Sequence, residues 1–401
     1  MRVRLLWLCG LATCLAAQED PSAVLQRVRE KVLQTLDRLP RYMWTQVTER
    51  TNYVANKLSP THTCEALGKL RRTLPWALAT ESVDRIRLDV ALGGGNAEMY
   101  SWAGDSQFSQ RPLADLVASG TVESGMYYSF LQMIFQRDAA AISYRGKVQE
   151  KRRSLLEFAF QVPRETSHWL YTYRAAPKDI WVVPYGGTFL ADPGTGDLVR
   201  LEMRATELPK TIYDCEISNT FEYQLTRLNG ADFLLPSESR LRIVDVSGRE
   251  VVNRTVYSAC HEFLGQSTIQ FDAAPDASQA PSPSPPVTTA RVVPAGLPFA
   301  VAFTQDLDLD TAAGGDRISA RLDGDLKDLS SQILAPRGAA IPLWAFPRCD
   351  FPWAGAGHAP TRECSPVEDD PYVVQLVFPN NLGRKLPASA LELSWITALK
   401  R

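Results

Sequence analysis

The chain has 401 residues, 45% of them hydrophobic and 22% charged, with a formal net charge of −2. That length holds two or three domains with cores of their own, and the composition is that of an ordinary globular protein. The near-neutral balance leaves no electrostatic footprint for nucleic acid or an anionic membrane, so nucleic acid is not expected as a partner.

The chain opens "MRVRLLWLCGLATCLAAQED". Arg2 and Arg4 precede an apolar run, Leu5 to Leu15, and the small pair Ala16-Ala17. This is the pattern of a secretory signal peptide over residues 1–19, and it predicts an exported protein, periplasmic or extracellular. "LATC" also looks like a bacterial lipobox ending at Cys14, with Thr13 a poor fit, so lipoprotein anchoring is the weaker alternative. No later run approaches the roughly 18 apolar residues of a membrane helix, so no transmembrane span is expected. The remaining cysteines are Cys64, Cys215, Cys260, Cys349 and Cys364. In an oxidising compartment they are free to pair, and the odd count leaves at least one thiol over.

In "PSAVLQRVREKVLQTLDRL", Leu25, Val28, Val32, Leu36 and Leu39 recur at three- and four-residue steps. The spacing predicts a helix over 21–39, stopped by Pro40 and packed on a sheet. "RYMWTQVTERTNYV" then reads as a long strand, rich in aromatic and β-branched residues. "DRIRLDVALGGGNAEMYSWA" places two strands around Gly93-Gly94-Gly95-Asn96. "GMYYSFLQMIFQ" (125–136) is a continuous apolar run suited to a buried helix. Strands follow in "LLEFAFQV", "HWLYTY" and "DIWVVPYGGTFLAD". In "ADPGTGDLVRLEMRA" the glycines reverse the chain, and Val199, Leu201, Met203 and Ala205 alternate with Arg200, Glu202 and Arg204, placing an apolar face on one side of a strand. Asn229-Gly230 is the strongest turn signal, and Ser247-Gly248 turns again. This succession predicts a mainly antiparallel sheet.

Residues 272–292 are rich in Pro, Ala and Ser and read as a semi-extended linker between residues 20–271 and 293–401. Beyond it, "VAFTQDLDLD" alternates, with Val301, Phe303, Leu307 and Leu309 on one face and Asp306, Asp308 and Asp310 on the other. "DRISARL", "QILAPRGAAI" and "YVVQLVF" suggest more short strands, and Pro342 to Cys364 is an irregular loop.

Catalytic constellations fail on chemistry. Gly194 and Gly196 lead into a strand without a following lysine, unlike a phosphate-binding loop. Asp306, Asp308 and Asp310 begin like a calcium loop, but Thr311 replaces the required Gly and Arg317 the required Glu. No metal site and no cofactor are expected. Ser124 does not match a nucleophile elbow. Cys260 and His261 are adjacent on a strand and so point to opposite faces. His62 and Cys64 share a face but have no orienting third group. Arg145, Lys147, Lys151, Arg152 and Arg153 read as a solvated turn between strands, with anionic lipid contact the lesser reading. Asn253-Arg254-Thr255 matches a glycosylation sequon, which means little if the host is a bacterium. With turns at Asn229-Gly230 and Ser247-Gly248, Cys215 falls beside Val244 and Cys260 beside Leu235, on strands separated by a third. They are then too far apart to bond. Cys349 and Cys364 bracket the irregular loop and are the candidate disulfide, because a short unpatterned loop gains order from a staple.

Helix 21–39 running into "LPRYMWTQVTERT", and the hairpins ending in "VYSACHEFLGQSTIQF", resemble exported acidobacterial proteins with a LolA/RseB-like fold. "TFLADPGTGDLVRLEMRA" is similar to that family's strand–D-x-x-T-G–strand hairpin at Asp192, Thr195 and Gly196. The resemblance spans roughly residues 21–271. It implies a curved antiparallel half-barrel capped by helices, whose apolar concave face receives acyl chains or hydrophobic peptide segments. More weakly, Gly315-Asp316 and "ILAPRGAAI" resemble β-domains of TrbI-type secretion-channel proteins, and the chain departs from that pattern after Ala340.

The expected architecture is therefore mainly β (α+β), a half-barrel capped by helices plus a small C-terminal β-domain. The expected function is non-enzymatic: an exported envelope protein holding a lipid or lipoprotein acyl chain in the concave sheet. The candidate lining is Trp44, Tyr100, Trp102, Phe130, Ile134, Phe158, Phe160, Trp169 and Trp181. The alternative is a structural or regulatory module whose partner is another envelope protein.

Overall fold

The computed structural model describes residues 20–39, 42–55, 63–73, 77–92, 97–105, 108–109, 112–117, 120–124, 126–136, 140–150, 152–172, 180–209, 212–262, 299–305, 307–308, 311–328, 330–344 and 385–386. The predicted signal peptide, the linker 272–292 and the Cys349–Cys364 loop lie outside these residues.

Helix α1 (Pro21–Arg38) begins where Asp20 accepts a hydrogen bond from the Ser22 amide at 3.0 Å. Pro21 sits in the first turn, where its missing N–H costs nothing. Of the predicted stripe, Val28, Val32, Leu36 and Leu39 are buried and Leu25 is partly buried, and Val24, outside that reading, is buried beside them. Thr35 on the same stripe accepts a hydrogen bond from the Leu234 amide at 3.1 Å, tying the helix to the sheet beneath.

The strands are β1 (Tyr42–Ala55), β2 (Leu78–Leu92), β3 (Glu98–Trp102), β4 (Ala141–Glu150), β5 (Arg153–Val162), β6 (Leu170–Thr172), β7 (Ile180–Val182), β8 (Tyr185–Ala191), β9 (Leu198–Ala205), β10 (Asp214–Leu228), β11 (Ala231–Asp245) and β12 (Glu250–Glu262). Ten of them make one curved antiparallel sheet in the order β3-β2-β1-β12-β11-β10-β9-β8-β5-β4, which is not closed into a barrel. β1 lies between β2 and β12, so the first strand of the chain meets the last strand of the meander. Asn229 and Gly230 both take positive φ (48° and 80°), the mirror-image turn that matches strand twist. The predicted run "DIWVVPYGGTFLAD" is divided at Val183-Pro184: β7 pairs with β6 in a separate hairpin, and β8 enters the main sheet.

Helix α2 (Cys64–Thr73), α3 (Leu113–Leu116) and α4 (Met126–Leu131) complete this region, α4 running on into a π-helical turn at Gln132–Gln136. α1, α4 and the π turn fill the concave face, and one continuous core joins them to the sheet. α2 is stapled to β10 by a Cys64–Cys215 disulfide with Cα atoms 5.2 Å apart. Its Arg71 reaches Glu250 at 2.5 Å, and Arg242 holds the same carboxylate at 2.7 Å.

The remaining strands are short: β13 (Val301–Phe303), β14 (Leu307–Asp308), β15 (Arg317–Leu322), β16 (Leu326–Lys327), β17 (Ile333–Ala335), β18 (Ala340–Trp344) and β19 (Lys385–Leu386). Among the described residues here only β13-β15-β18 makes a sheet of three. The alternation of Val301 and Phe303 holds, both being buried. This region touches the first sheet. Gly314 pairs with β2 where β3 has ended, exchanging hydrogen bonds with Arg85 and Arg87 at 2.6 and 2.8 Å. Arg87 also binds Asp316 at 2.5 Å.

Candidate functional site

The concave face has two ends with different chemistry. At the β5-β8-β9 end it is aromatic. Phe158 and Phe160 from β5 and Tyr185 and Phe189 from β8 lie on the inner face, because alternate residues of a strand point the same way. Phe158 and Phe189 stack with ring centroids 5.1 Å apart, and Phe135 of the π turn meets Phe189 edge-on at 5.2 Å. Phe130 of α4 packs edge-on against Trp169 at 5.4 Å and Tyr185 at 5.2 Å. Of the predicted lining residues, Phe130, Ile134, Phe158, Phe160 and Trp169 thus come together, as mutually packed core. Trp181 does not join them. It is half-buried on the β6–β7 hairpin, 6.5 Å from the ring of Tyr171.

The D-x-x-T-G turn serves this end. Asp192 accepts hydrogen bonds from the amides of Gly194 and Thr195. The turn then receives α1: Arg27 donates to the Pro193 carbonyl at 2.6 Å, and Lys31 meets Asp197 at 2.6 Å. Gly196 has φ 73°, and a Cβ there would lie 2.6 Å from the Cβ of Arg27. The turn is a seat for the capping helix. One detail of the predicted alternation is corrected. Leu201 and Met203 face the core, but Val199 joins Leu155 and Leu190 on the opposite side, because the β8–β9 register shifts at Leu190/Ala191. The basic cluster is also corrected: Arg145 and Lys147 stand on strand β4 itself, at the sheet edge.

At the other end of the same face, Trp44, Tyr100 and Trp102 are buried, and among them the inner face turns polar. Gln46 and Thr48 of β1, Asn253, Thr255 and Tyr257 of β12, and Glu98 of β3 line a cavity of about 20 Å3. It is roofed by Leu113 of α3 and by Thr121, Val122 and Glu123. Asn219 donates to one oxygen of Glu123 at 2.7 Å, and Asn253 donates to the Thr121 carbonyl at 3.0 Å, so two sheet asparagines hold the roof. Thr48 and Thr255, paired across the strands, share a hydrogen bond at 2.8 Å. Arg50 makes a two-pronged pair with Asp84 at 2.7 and 2.6 Å. Gly120, at φ 71°, crosses over that guanidinium with no room for a Cβ.

Two amide oxygens here, Asn219 Oδ1 and Asn253 Oδ1, and the Glu123 oxygen that Asn219 does not reach, Oε1, are shielded from solvent and make no hydrogen bond. Burial first, and then the charge of Glu98, push the Glu123 carboxyl up to about 8, against the opposing Asn219 bond. Glu123 is therefore a neutral acid at pH 7. Burial likewise pushes the Tyr257 phenol up, with Glu123 adding to the shift. Asn253 is 0% exposed, so the sequon is closed to glycosylation in the folded chain.

None of these polar residues stood out in the sequence. Their only signal is the alternation Trp44/Gln46/Thr48/Arg50 and Val251/Asn253/Thr255/Tyr257, which marks shared faces but not that those faces are buried. The cysteine and histidine readings resolve clearly. Cys64 is bonded to Cys215 and is no nucleophile. Cys260 lies against the core while His261 is exposed, and burial pushes the Cys260 thiol up to about 11, away from the reactive thiolate. Among the described residues no three His, Cys, Asp or Glu are grouped to hold a metal, and no helix is long and apolar enough to cross a membrane.

No protein-family model matches the chain. No curated protein matches it either. Among solved structures it is similar to a DUF1329-family protein from Desulfovibrio piger, at 8% identity and a TM-score of 0.30, over 61% of this chain and 94% of that one. It is also similar to a LolA-superfamily protein from Nitrosomonas europaea, at 10% identity and 0.27, over 61% and 94%. A third is a Vibrio parahaemolyticus domain named for outer membrane lipoprotein sorting, at 6% identity and 0.29, over 62% and 96%. Overlap at this level establishes neither family nor function.

Proposed function

We propose that this chain is a non-enzymatic, exported envelope protein whose half-barrel, residues 20–271, binds an apolar ligand such as a lipid or lipoprotein acyl chain on its concave face. In this reading residues 293–401 form a second domain beyond the linker. One observation carries it: the aromatic concave face is covered by one helix and a run of short segments instead of a second sheet. α3 has four residues, α4 six, and α4 gives way to a π-helical turn, an irregular geometry that recurs at functional positions. The cavity of about 20 Å3 is far too small for an acyl chain. Binding therefore exchanges cover for ligand. Because the ligand's apolar surface replaces that of the cover at the same ~25 cal/mol per Å2, the exchange costs little net free energy.

Native purification followed by organic extraction and mass spectrometry tests this. Co-purifying lipid, together with displacement of a fluorescent fatty acid from the protein, is the expected result. An extract without lipid and no uptake of the fatty acid would overturn the reading. It would leave the protein-partner alternative, for which Leu170 and Ile180, about 60% exposed on one face of the β6–β7 hairpin, are the surface to test first.

A further inference from the structure

The geometry points to the cavity beneath Glu123 as the seat of a primary ammonium group carried at the end of an apolar chain. This rests on the apolar-ligand reading above and adds the chemistry of the ligand's polar end. Glu123 Oε1 and Asn253 Oδ1 belong to residues lining one cavity, are shielded from solvent and take no hydrogen bond. The amide oxygen is an acceptor, and the Glu123 oxygen is one once the acid is ionised. The orientation of Asn253 is set by its amide, which must donate to the Thr121 carbonyl and so turns its oxygen away. Glu98 adds a second carboxylate to the lining, and the cation nearest the roof, Arg50, is held by Asp84. A phosphate or carboxylate would bring a second negative charge beside Glu98 and the amide oxygen of Asn253. A quaternary ammonium has no N–H to donate and does not fit in about 20 Å3, which holds one water-sized group. A primary ammonium is that size, carries three donors and makes the stronger, charge-assisted hydrogen bonds. Its chain would leave the cavity along Trp44, Ile86 and Leu113, the apolar part of the lining.

The binding step balances simply. The free site holds a neutral Glu123 carboxyl. Entry of the ammonium favours the carboxylate, so the acid O–H breaks and its proton goes to solvent, one per ligand bound. The titratable and polar groups around Glu123 are Asn219 from β10, Glu98 from β3 and Tyr257 from β12, while Arg50 of β1, beneath Gly120, is paired with Asp84 of β2.

The test is titration calorimetry of the intact protein with dodecylamine, dodecanol and dodecanoate between pH 6 and 8. Nα-acetyl-lysine amide carries the same ammonium without the long chain and stands for a peptide source. Dodecylamine should bind at least tenfold more tightly than dodecanol at pH 8. Between pH 6 and 8 its affinity should increase with rising pH, by up to about tenfold per unit, with one proton released in buffers of different ionisation heat. Glu123→Gln should bring its affinity down to that of dodecanol. Glu98→Gln, which keeps the cavity's shape, should move the pH dependence to lower pH. Equal binding of all three long-chain probes, or an amine preference untouched by Glu123→Gln, would overturn this inference and leave the apolar-ligand reading standing. Binding of the lysine amide as tightly as dodecylamine would overturn the long-chain part of it. Failure of all three long-chain probes would remove both readings.

Discussion

The two ends of the concave face are built on the same strands' alternation yet obey different rules. At the Phe158–Phe189 end the inward side chains are mostly rings with centroids 5.1–6.5 Å apart, and a single hydroxyl among them, that of Tyr185, is buried without a hydrogen bond. Stability there comes from burial and close packing, which tolerate no gaps. At the Glu123 end the inward side chains are Gln46, Thr48, Asn253 and Thr255, and a cavity remains. Burial there carries a desolvation cost that hydrogen bonds only partly offset, since three oxygens go without. The first end takes a guest only by giving up its helical cover, whereas the second already holds a cavity.

Three tests sharpen or break that contrast. Phe189→Ala at the dry end should cost ~3–5 kcal/mol in denaturant unfolding, the range for truncating a buried aromatic. A loss below about 1 kcal/mol would mean that this end already yields to a guest. The Glu123 end should instead show itself in pH. The folded carboxyl titrates near 8 against an ordinary value of 4.5, so the folded state holds a proton that the unfolded chain gives up. Its contribution is therefore complete below pH 4.5 and is lost as pH rises toward 8, at a slope of about 1 kcal/mol per pH unit. Glu123→Gln should flatten that slope over pH 5–8, and an unchanged slope would show that the carboxyl is solvated. The smallest effect concerns Thr48 and Thr255. Either single change to Val leaves a buried hydroxyl alone and should cost ~1–3 kcal/mol. The double change removes both partners and should lie within about 1 kcal/mol of the parent. A double variant as damaged as the sum of the singles would mean that each hydroxyl has another partner.

Much of the frame is legible in the residues. α1 follows from its four-residue apolar steps, β10–β11 from Asn229-Gly230, and the register of that meander keeps Cys215 away from Cys260. Local rules suffice there because neighbours in space are neighbours in the chain. The same rules misplace Val199, since it is the extra residue where the β8–β9 register shifts, and the bulge turns it outward. They also pass over Cys64–Cys215, whose partners are 151 residues apart.

What the chain determines by itself is the alternation of each strand, the stripe of the helix and the position of the turns, all set by dihedral preference and by the periods of helix and strand. Which polar faces are buried is decided only by the tertiary structure. Glu123 meets Asn219 across 96 residues, and Asn253 meets Thr121 across 132. A polar residue on an alternating strand reads as solvent-facing until the sheet curves and another segment closes over it. Closure of that kind is long-range, so the roof over Glu123 and the acceptors beneath it emerge only when β3, β1, β12 and β10 are laid side by side.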